Sequence, residues 1–519
     1  MVICCLIKNP RTSDERFGEY YFCRNLAAIL KHPIKQLFGQ TAIYGLGIVL
    51  PRLLNYLLLT PFYTRVFDRA TYGIVTELYA YVVFLLVILT YGMETGYFRY
   101  ASNSEQKGKV YSTVIGSLFI SSLLFIIVVL AWSGSISSFM GYGAHPEYIR
   151  LLAAIVAIDA FTAIPFARIR LLNQPMKYAL IRIAEVSINI GLNLFFLYFC
   201  PHHTDSGFVN LLYNENIGVG YVFISNLIAS TLKLLLLIPD IIAAFRSRFD
   251  WSLFKIILRY SYPLLIAGLA GTVNEALDRI LLKHLIPAAQ DPMAQLGVYG
   301  ANYKLAVLMT LFVQMFKYAA EPFFFSKSEE RDAKKLYADV MMFFVVAGLF
   351  IFLLVNLYLN YFILFIGSDF REGVQIVPVI LMANLVMGIF FNLSIWYKLT
   401  NKTQFGAVLV LLGALITVVV NAVFIPRYGY VASAWAHLFC YSTMVIVSYL
   451  WSRKHYVIPY RTGRIIAYIV LAVFIYIINE LFLQGLTGPS ELWKLLLLMF
   501  FSVIVVWGEH RTFNQYKSI

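Results

Sequence analysis

The stretch YGIVTELYAYVVFLLVILTYGME, residues 72–94, decides the fold. The only charged side chains along it are Glu77 and Glu94. As a helix rising about 1.5 Å per residue it reaches about 34 Å. A bilayer's hydrocarbon core is about 30 Å thick, so the stretch reads as a membrane span. Apolar segments of the same kind occur at 39–61, 110–132, 148–167, 178–200, 217–239, 260–282, 297–319, 339–361, 374–397, 404–425, 429–451, 464–484 and 490–508. The ninth apolar run continues to Gly367, which leaves its end open. The expected fold class is therefore all-α, a polytopic membrane protein with about 14 transmembrane helices.

Composition agrees. Of 519 residues, 60% are hydrophobic and 13% charged, too little charge to cover a soluble surface of this size. No stretch between spans is long enough to fold as a soluble catalytic domain. The basic excess, 41 Lys+Arg against 27 Asp+Glu, is spread along loops and forms no nucleic-acid-binding domain. The residues Cys4, Cys5, Cys23, Cys200 and Cys440 form no CxxC pair, so neither a disulfide framework nor a zinc site is expected. The N-terminal residues lack a basic segment followed by a short apolar core, so no cleavable signal peptide is expected.

Loop charge sets an orientation. With the N-terminus placed in the cytoplasm, 29 Lys and Arg fall on that side and seven on the other; five lie within spans. Loops 133–147 and 201–216, on the opposite side, contain neither Lys nor Arg. The positive-inside rule then places both termini in the cytoplasm.

A parallel repeat runs through the chain. Arg170, Asn173, Asn193 and Phe196 recur at one constant offset as Lys398, Asn401, Asn421 and Phe424. At nearly the same offset, Gly73 and Tyr79 recur as Gly297 and Tyr303. An offset of six spans preserves orientation, giving two six-helix lobes and two further helices. The expected units are a tail at 1–38, lobes at 39–240 and 241–451, and an appendage at 452–519.

Four segments carry a family resemblance: YGMETGYFRYAS (91–102), IPFARIRLLNQPMKYAL (164–180), VNEALDRILLKHL (273–285) and GVYGANYKLAVLMTLFVQMFKYAAEPFFF (297–325). In their order and spacing they resemble the polysaccharide flippases, the Wzx-type O-antigen and lipid-linked oligosaccharide exporters of the MOP (MATE-like) superfamily. The resemblance covers nearly the whole chain after residue 39. It implies two lobes around a central cavity that opens alternately to either side. It also implies a cargo, a polyprenyl-diphosphate-linked oligosaccharide moved from the cytoplasmic to the periplasmic leaflet of a bacterial inner membrane for cell-surface polysaccharide biosynthesis. Partners would be that lipid, bilayer lipids, a coupling ion (proton or sodium) and other assembly proteins; no cofactor, metal or nucleic acid is expected.

Ionisable residues inside spans are costly and usually face a cavity or a partner. Arg52, in span one, can grip a diphosphate bidentately or pair with a structural acceptor. In span seven, Glu275 and Arg279 stand four apart and can pair on one helix face, leaving Asp278 free for an ion or a cation across the cavity. Arg279 is the second candidate phosphate ligand. Glu77 and Lys304 lie at similar depths in spans two and eight and can meet as a gate salt bridge or be solvated separately. Asp159 in span four can couple protons or remain a neutral, hydrogen-bonded acid. Arg182 and Glu185 read as a local pair, and Lys233 as snorkelling to the headgroups. Glu94, Arg99, Arg168 and Arg170 cluster at the cytoplasmic ends of spans two and four. They read as ordinary basic loop ends or as a cytoplasmic diphosphate-receiving site. His202 and His203 read as a solvated loop rather than a metal site.

The sequence has no phosphate-binding Walker loop and no carboxylate pair on a soluble domain, so the chain reads as a transporter and not an enzyme. The alternatives are a drug or cation antiporter of the same superfamily, whose cavity should be acidic, and a membrane-embedded polysaccharide polymerase or ligase, which should keep acceptor-binding residues in large outside loops.

Overall fold

A computed structural model describes residues 49–102, 107–483 and 490–517. The described residues are mostly helical and contain no strand. The long helices are α1 (49–66), α2 (Arg69–Ser102), α3 (Lys107–Ala131), α4 (Pro146–Leu171), α5 (Pro175–His202), α6 (Gly220–Leu236), α7 (Trp251–Leu285), α8 (Pro292–Leu305, continued by Val307–Ser326), α9 (Ala333–Leu357), α10 (Ser368–Leu399), α11 (Thr403–Tyr428), α12 (Tyr430–His455), α13 (Thr462–Phe482) and α14 (Glu491–Glu509). Eleven described helices are each long and apolar enough to cross a membrane, and thirteen when two bent pairs count as one span each. The first expected span, 39–61, is described only from residue 49, and the 1–38 tail lies outside the described residues.

Side chains start the helices. Asp68 accepts the Thr71 amide at 2.7 Å before α2, Asp250 accepts those of Ser252 and Leu253 before α7, and Asp291 accepts that of Ala294 before α8. Each occupies one of the amides that a helix N-terminus leaves unpaired. Two helices bend: α6 by 51° into Ile238–Phe245, at Pro239, and α8 by 55° at Ala306. Proline removes a backbone donor and explains the first bend; nothing in the local sequence explains the second. The ninth apolar run ends as a long helix at Leu357 and continues to Gly367 in short turns.

The repeat is visible as geometry. After α4, Asn173 is left-handed at φ 53°, and the Gln174 amide reaches back to the Ile169 carbonyl at 3.1 Å. After α10, Asn401 is left-handed at φ 56°, and the Lys402 amide reaches the Tyr397 carbonyl at 2.8 Å. The same helix stop thus occurs at equivalent places in both halves, and asparagine tolerates that conformation. Inside α5, Asn193 donates to the Asn189 carbonyl and accepts from Tyr63; inside α11, Asn421 donates to the Thr417 carbonyl and accepts from Ser433. Helices α1–α6 and α7–α12 thus build two lobes, and α13 and α14 dock on α9. There Tyr476 meets Phe352 edge-on, and Arg461 joins Asp339 to Glu509 at 2.6 Å each.

The lobes meet along α2. Near its start, Gly73 crosses Gly297 of α8 so closely that a Cβ on Gly73 would overlap the Met293 carbonyl, and one on Gly297 the Arg69 carbonyl. Arg69 and Met293 stand at the same offset as the two glycines, so the contact is pseudo-twofold. Near the other end of α2, a Cβ on Gly92 would lie 2.8 Å from the Ser261 carbonyl of α7. Large apolar side chains such as Ile120, Leu124, Leu415 and Val470 are exposed on the bundle's perimeter. A bilayer solvates such a surface where water does not. The chain is a multi-pass membrane protein.

Candidate functional site

The two ends of the bundle differ in charge and are called here the basic side, where α2 ends, and the basic-poor side, where it begins. One fully buried charged centre belongs to α7. Asp278 is 0% exposed. Its carboxylate accepts from the Tyr299 hydroxyl of α8, stands 3.1 Å from His437 Nε2 of α12, and pairs with Arg279 Nη1 at 3.3 Å. The guanidinium lies 4.6 Å from the Tyr303 ring centroid. The expected Glu275–Arg279 carboxylate pair is absent: Nη1 donates to the Glu275 backbone carbonyl at 2.6 Å, and the Glu275 side chain is exposed. Nor is Asp278 free. A wholly buried carboxylate needs a compensating cation, and Arg279, the adjacent residue, curls along the helix to supply it. Among the described residues the hydrogen bonds of this guanidinium all leave from Nη1, so Nε and Nη2 keep N–H groups for a further acceptor.

Arg52 reaches across from α1 and donates through Nη1 to the Gln314 side chain, on the basic-side limb of α8. Just beyond it α1 contains a π-bulge at Asn55–Leu59, a deformation common at functional sites.

Glu77 does not pair with Lys304. It is 0% exposed, and Lys283 of α7 holds both its oxygens at 2.9 and 3.0 Å. The Tyr142 hydroxyl donates to the same carboxylate, and Lys283 also donates to the Met140 carbonyl at 2.5 Å. Lys304 instead stands 5.3 Å from the Tyr72 ring centroid. Equal depth does not suffice, because Glu77 lies on the face of α2 turned toward α7. The Glu77–Lys283 pair still bridges the lobes, beside the Gly73–Gly297 crossing. On the basic-poor side beyond that crossing lies an open cleft of about 760 Å³, lined by Asp68, Arg69, Asp291, Asp369 and Glu372 among others.

Asp159 is not unpaired. Lys233 of α6 is 2% exposed and sits 2.5 Å from Asp159 of α4 and 2.6 Å from Glu185 of α5. The expected snorkelling of Lys233 is therefore wrong. Two carboxylates inside the lobe hold the ammonium more strongly than headgroups do. The expected local pair forms, with Arg182 3.0 Å from Glu185. Removing the lysine charge leaves Asp159 without a cation beside Glu185, which keeps only Arg182, so Lys233→Met should destabilise the protein by about 3 kcal/mol, the lower end for a broken buried pair. Thermal unfolding in detergent measures this; an unchanged midpoint would mean the three charges contribute nothing to the fold.

Arg168 and Arg170, expected as a cluster with Glu94 and Arg99, are both committed to carboxylates. Arg168 and Lys177 hold Asp240 at 3.3 and 2.6 Å, and Arg170 pairs with Glu94. Arg99 lies 4.4 Å from the Tyr260 ring centroid. This network ties α2, α4, α5 and the bent end of α6 together. The ring nitrogens Nδ1 of His202 and His203 contact the Tyr198 and Phe199 carbonyls. Among the described residues no three His, Cys, Asp or Glu gather as a metal site. Cys200 and Cys440 are buried free thiols; Cys4, Cys5 and Cys23 lie outside the described residues. The partners that sequence reasoning misses are Lys283, Tyr142, Tyr299 and His437. For His437 the available signal is a lone histidine inside an apolar span.

Membrane-spanning helices packed around buried charges define the chain as a multi-pass helical membrane protein. The chain belongs to the polysaccharide biosynthesis protein family, which it matches over residues 38–328. Among solved structures it resembles the lipid II flippase MurJ in an inward closed conformation, at 14% identity and TM-score 0.63, covering 91% of this chain and all of that one. It also resembles an inward-facing multidrug resistance MATE family transporter, at 14% identity and TM-score 0.59, covering 80% of this chain and 94% of that one. An outward-facing MATE family transporter follows at 13% identity and TM-score 0.57, over 82% of this chain and 96% of that one. Comparison with curated protein sequences returns no match.

Proposed function

We propose that the chain is a flippase for a polyprenyl-diphosphate-linked oligosaccharide, moving it from the cytoplasmic to the periplasmic leaflet of a bacterial inner membrane by alternating access. The observation that carries this reading is the Arg279 guanidinium, fixed at Nη1 by a buried carboxylate while Nε and Nη2 remain open to an acceptor. A guanidinium stays protonated in a low-dielectric cavity and binds phosphate oxygens in pairs. Arg52 supplies a second cation from the opposite lobe. Arg168 and Arg170 hold Asp240 and Glu94 in the network that ties four helices together, and we assign them to the fold on that ground. Asp278, held with His437 and Arg279, is the candidate coupling carboxylate; Asp159, clamped by Lys233, is not. A diphosphate can take up the Arg279 N–H groups that Asp278 and Glu275 leave unused, which favours the lipid over the antiporter reading. The short loops on the basic-poor side speak against a polymerase or ligase.

The experiment is translocation of labelled lipid-linked oligosaccharide in proteoliposomes. The wild type should transport, Arg52→Ala and Arg279→Ala should not, and normal transport by both would overturn the cargo assignment. Orientation is tested in cells: a cysteine within 133–147 should react with an impermeant thiol reagent added outside, and one within 326–335 should not until the membrane is opened. The reverse pattern would sink the assignment of the basic side to the cytoplasm.

A further inference from the structure

We infer that the linker joining α6 to α7, residues 237–250, together with the first turns of α7, is a binding surface for anionic phospholipid headgroups of the leaflet on the basic side. The inference needs the membrane fold and no particular cargo. After its 51° bend at Pro239, α6 turns into the linker through Ile238–Phe245. Three successive side chains of α3 hold the turned segment from within. The Tyr111 hydroxyl donates to the Asp240 carbonyl at 2.8 Å, Ser112 Oγ donates to the Ser247 carbonyl at 2.9 Å, and Thr113 Oγ1 accepts the Asp250 amide at 3.1 Å. Lys109 adds an ion pair to Asp250 at 3.0 Å, and Asp250 caps α7. The linker is thus a fixed platform whose backbone groups find partners on the protein side.

Its outer side is aromatic and cationic. Phe245 is 83% exposed, Phe249 39% and Trp251 60%. The Trp251 ring lies 6.0 Å from that of Phe249 and 5.3 Å from that of Phe254. Rings clustered and exposed in this way need a cover other than water. Exposed apolar side chains of the flanking helices, Leu235 and Ile242 before the rings and Ile256 and Tyr262 after them, run straight into the patch. That continuity makes the cover the bilayer that solvates those helices, with the rings at headgroup level. Arg248, Lys255 and Arg259 are exposed alongside, and Lys255 Nζ stands 5.9 Å from the Trp251 ring centroid. Among the described residues none of these three cations pairs with a carboxylate. The two acids of the linker are already taken, Asp250 by Lys109 and Asp240 by Arg168 and Lys177.

The linker that follows α12 shows that such exposure is not the rule for a connection on this side. There Ile458 is buried with Phe324 and Tyr337, Tyr456 and Tyr460 pack against them, and Arg461 is held by Asp339 and Glu509. One linker folds its rings and a cation into the protein, and the other turns them out. Rings alone accept any lipid. Three uncompensated cations select a headgroup whose phosphate carries no neutralising choline. A headgroup bound here rests on the segment that ends α6 and caps α7.

The test uses the full chain in phosphatidylcholine bilayers to which brominated phosphatidylglycerol or brominated phosphatidylcholine is added, since bromine quenches a tryptophan in contact with it. Each protein is measured against the same protein carrying Trp251→Phe, and the difference isolates Trp251. Brominated phosphatidylglycerol should quench Trp251 at a lower mole fraction than brominated phosphatidylcholine. One cation near an anionic surface is worth about fivefold in binding. Arg248→Gln, Lys255→Gln and Arg259→Gln should therefore each lower the preference for phosphatidylglycerol about fivefold, and Lys255→Arg should keep it. Arg453→Gln removes an exposed cation beside the other linker and should change nothing. An equal loss in Arg453→Gln would overturn the site, because general surface charge would then explain the preference. Equal quenching by both lipids would also overturn it, leaving an unselective aromatic belt. Quenching by neither would mean that a protein or water, and not lipid, meets these rings.

Discussion

Replacing Arg279 by alanine is expected to abolish translocation, and replacing it by lysine to restore only part. Two effects act together. A charge-assisted contact to phosphate is worth about 1.5–3 kcal/mol, or roughly ten- to a hundredfold in affinity. Lysine offers a point charge and cannot reproduce the paired hydrogen bonds of the guanidinium. The second effect is on the fold. Asp278 is fully buried, and without Arg279 it keeps only Tyr299 and His437 as partners. Breaking a buried pair by removing one member costs about 3–5 kcal/mol. The double variant Asp278→Asn with Arg279→Ala separates the two effects. It removes both charges, so the unfolding midpoint should recover relative to Arg279→Ala while translocation stays absent. Recovery of transport along with stability would show that Arg279 only neutralises Asp278 and never touches cargo.

The reach of the sequence differs between the architecture and the site. Apolar length places the helices, because span length answers to bilayer thickness and to little else. Asn173 and Asn401 reveal the repeat because a helix stop is local chemistry, complete within a turn or two of chain. The charged partners are not legible in the same way. Depth along a helix follows from residue number, and depth puts Glu77 and Lys304 at one level. Azimuth follows from how the helices pack, and packing turns Glu77 toward Lys283 and Lys304 toward Tyr72. Lys233 fails for a related reason. Its distance from the basic side suggests headgroups, but Asp159 and Glu185 come from two other helices, and nothing in span six announces them. The Arg182–Glu185 pair is legible because both residues sit on one helix, three apart.

The Glu77–Lys283 pair is expected to hold the lobes together on the basic-poor side, and Glu77→Gln to release them. Lys283 enters from α7 and finds a full cage in the other lobe: both oxygens of Glu77, the Met140 carbonyl and the face of Tyr142, 4.1 Å from the ring centroid. Gln keeps the shape and one acceptor oxygen but removes the charge and the second acceptor, leaving a cation in a site where it is only 16% exposed. In the closed arrangement that costs about 3–5 kcal/mol. Once the lobes part, water solvates the ammonium and the cost vanishes. The ratio of closed to open molecules should therefore fall by about a hundred- to a few thousandfold. Gly297→Val should push the same way through packing alone, since any Cβ there overlaps the Arg69 carbonyl. The measurement is the labelling rate of a cysteine at Ala294, in the cleft on this side, with an impermeant thiol reagent. Both variants should label faster than the parent, and Glu77→Gln should lose transport because the closed state is no longer populated. If Gly297→Val labels faster but Glu77→Gln labels at the parental rate, the lobes close by packing, and the ion pair serves only to bring Lys283 into the membrane.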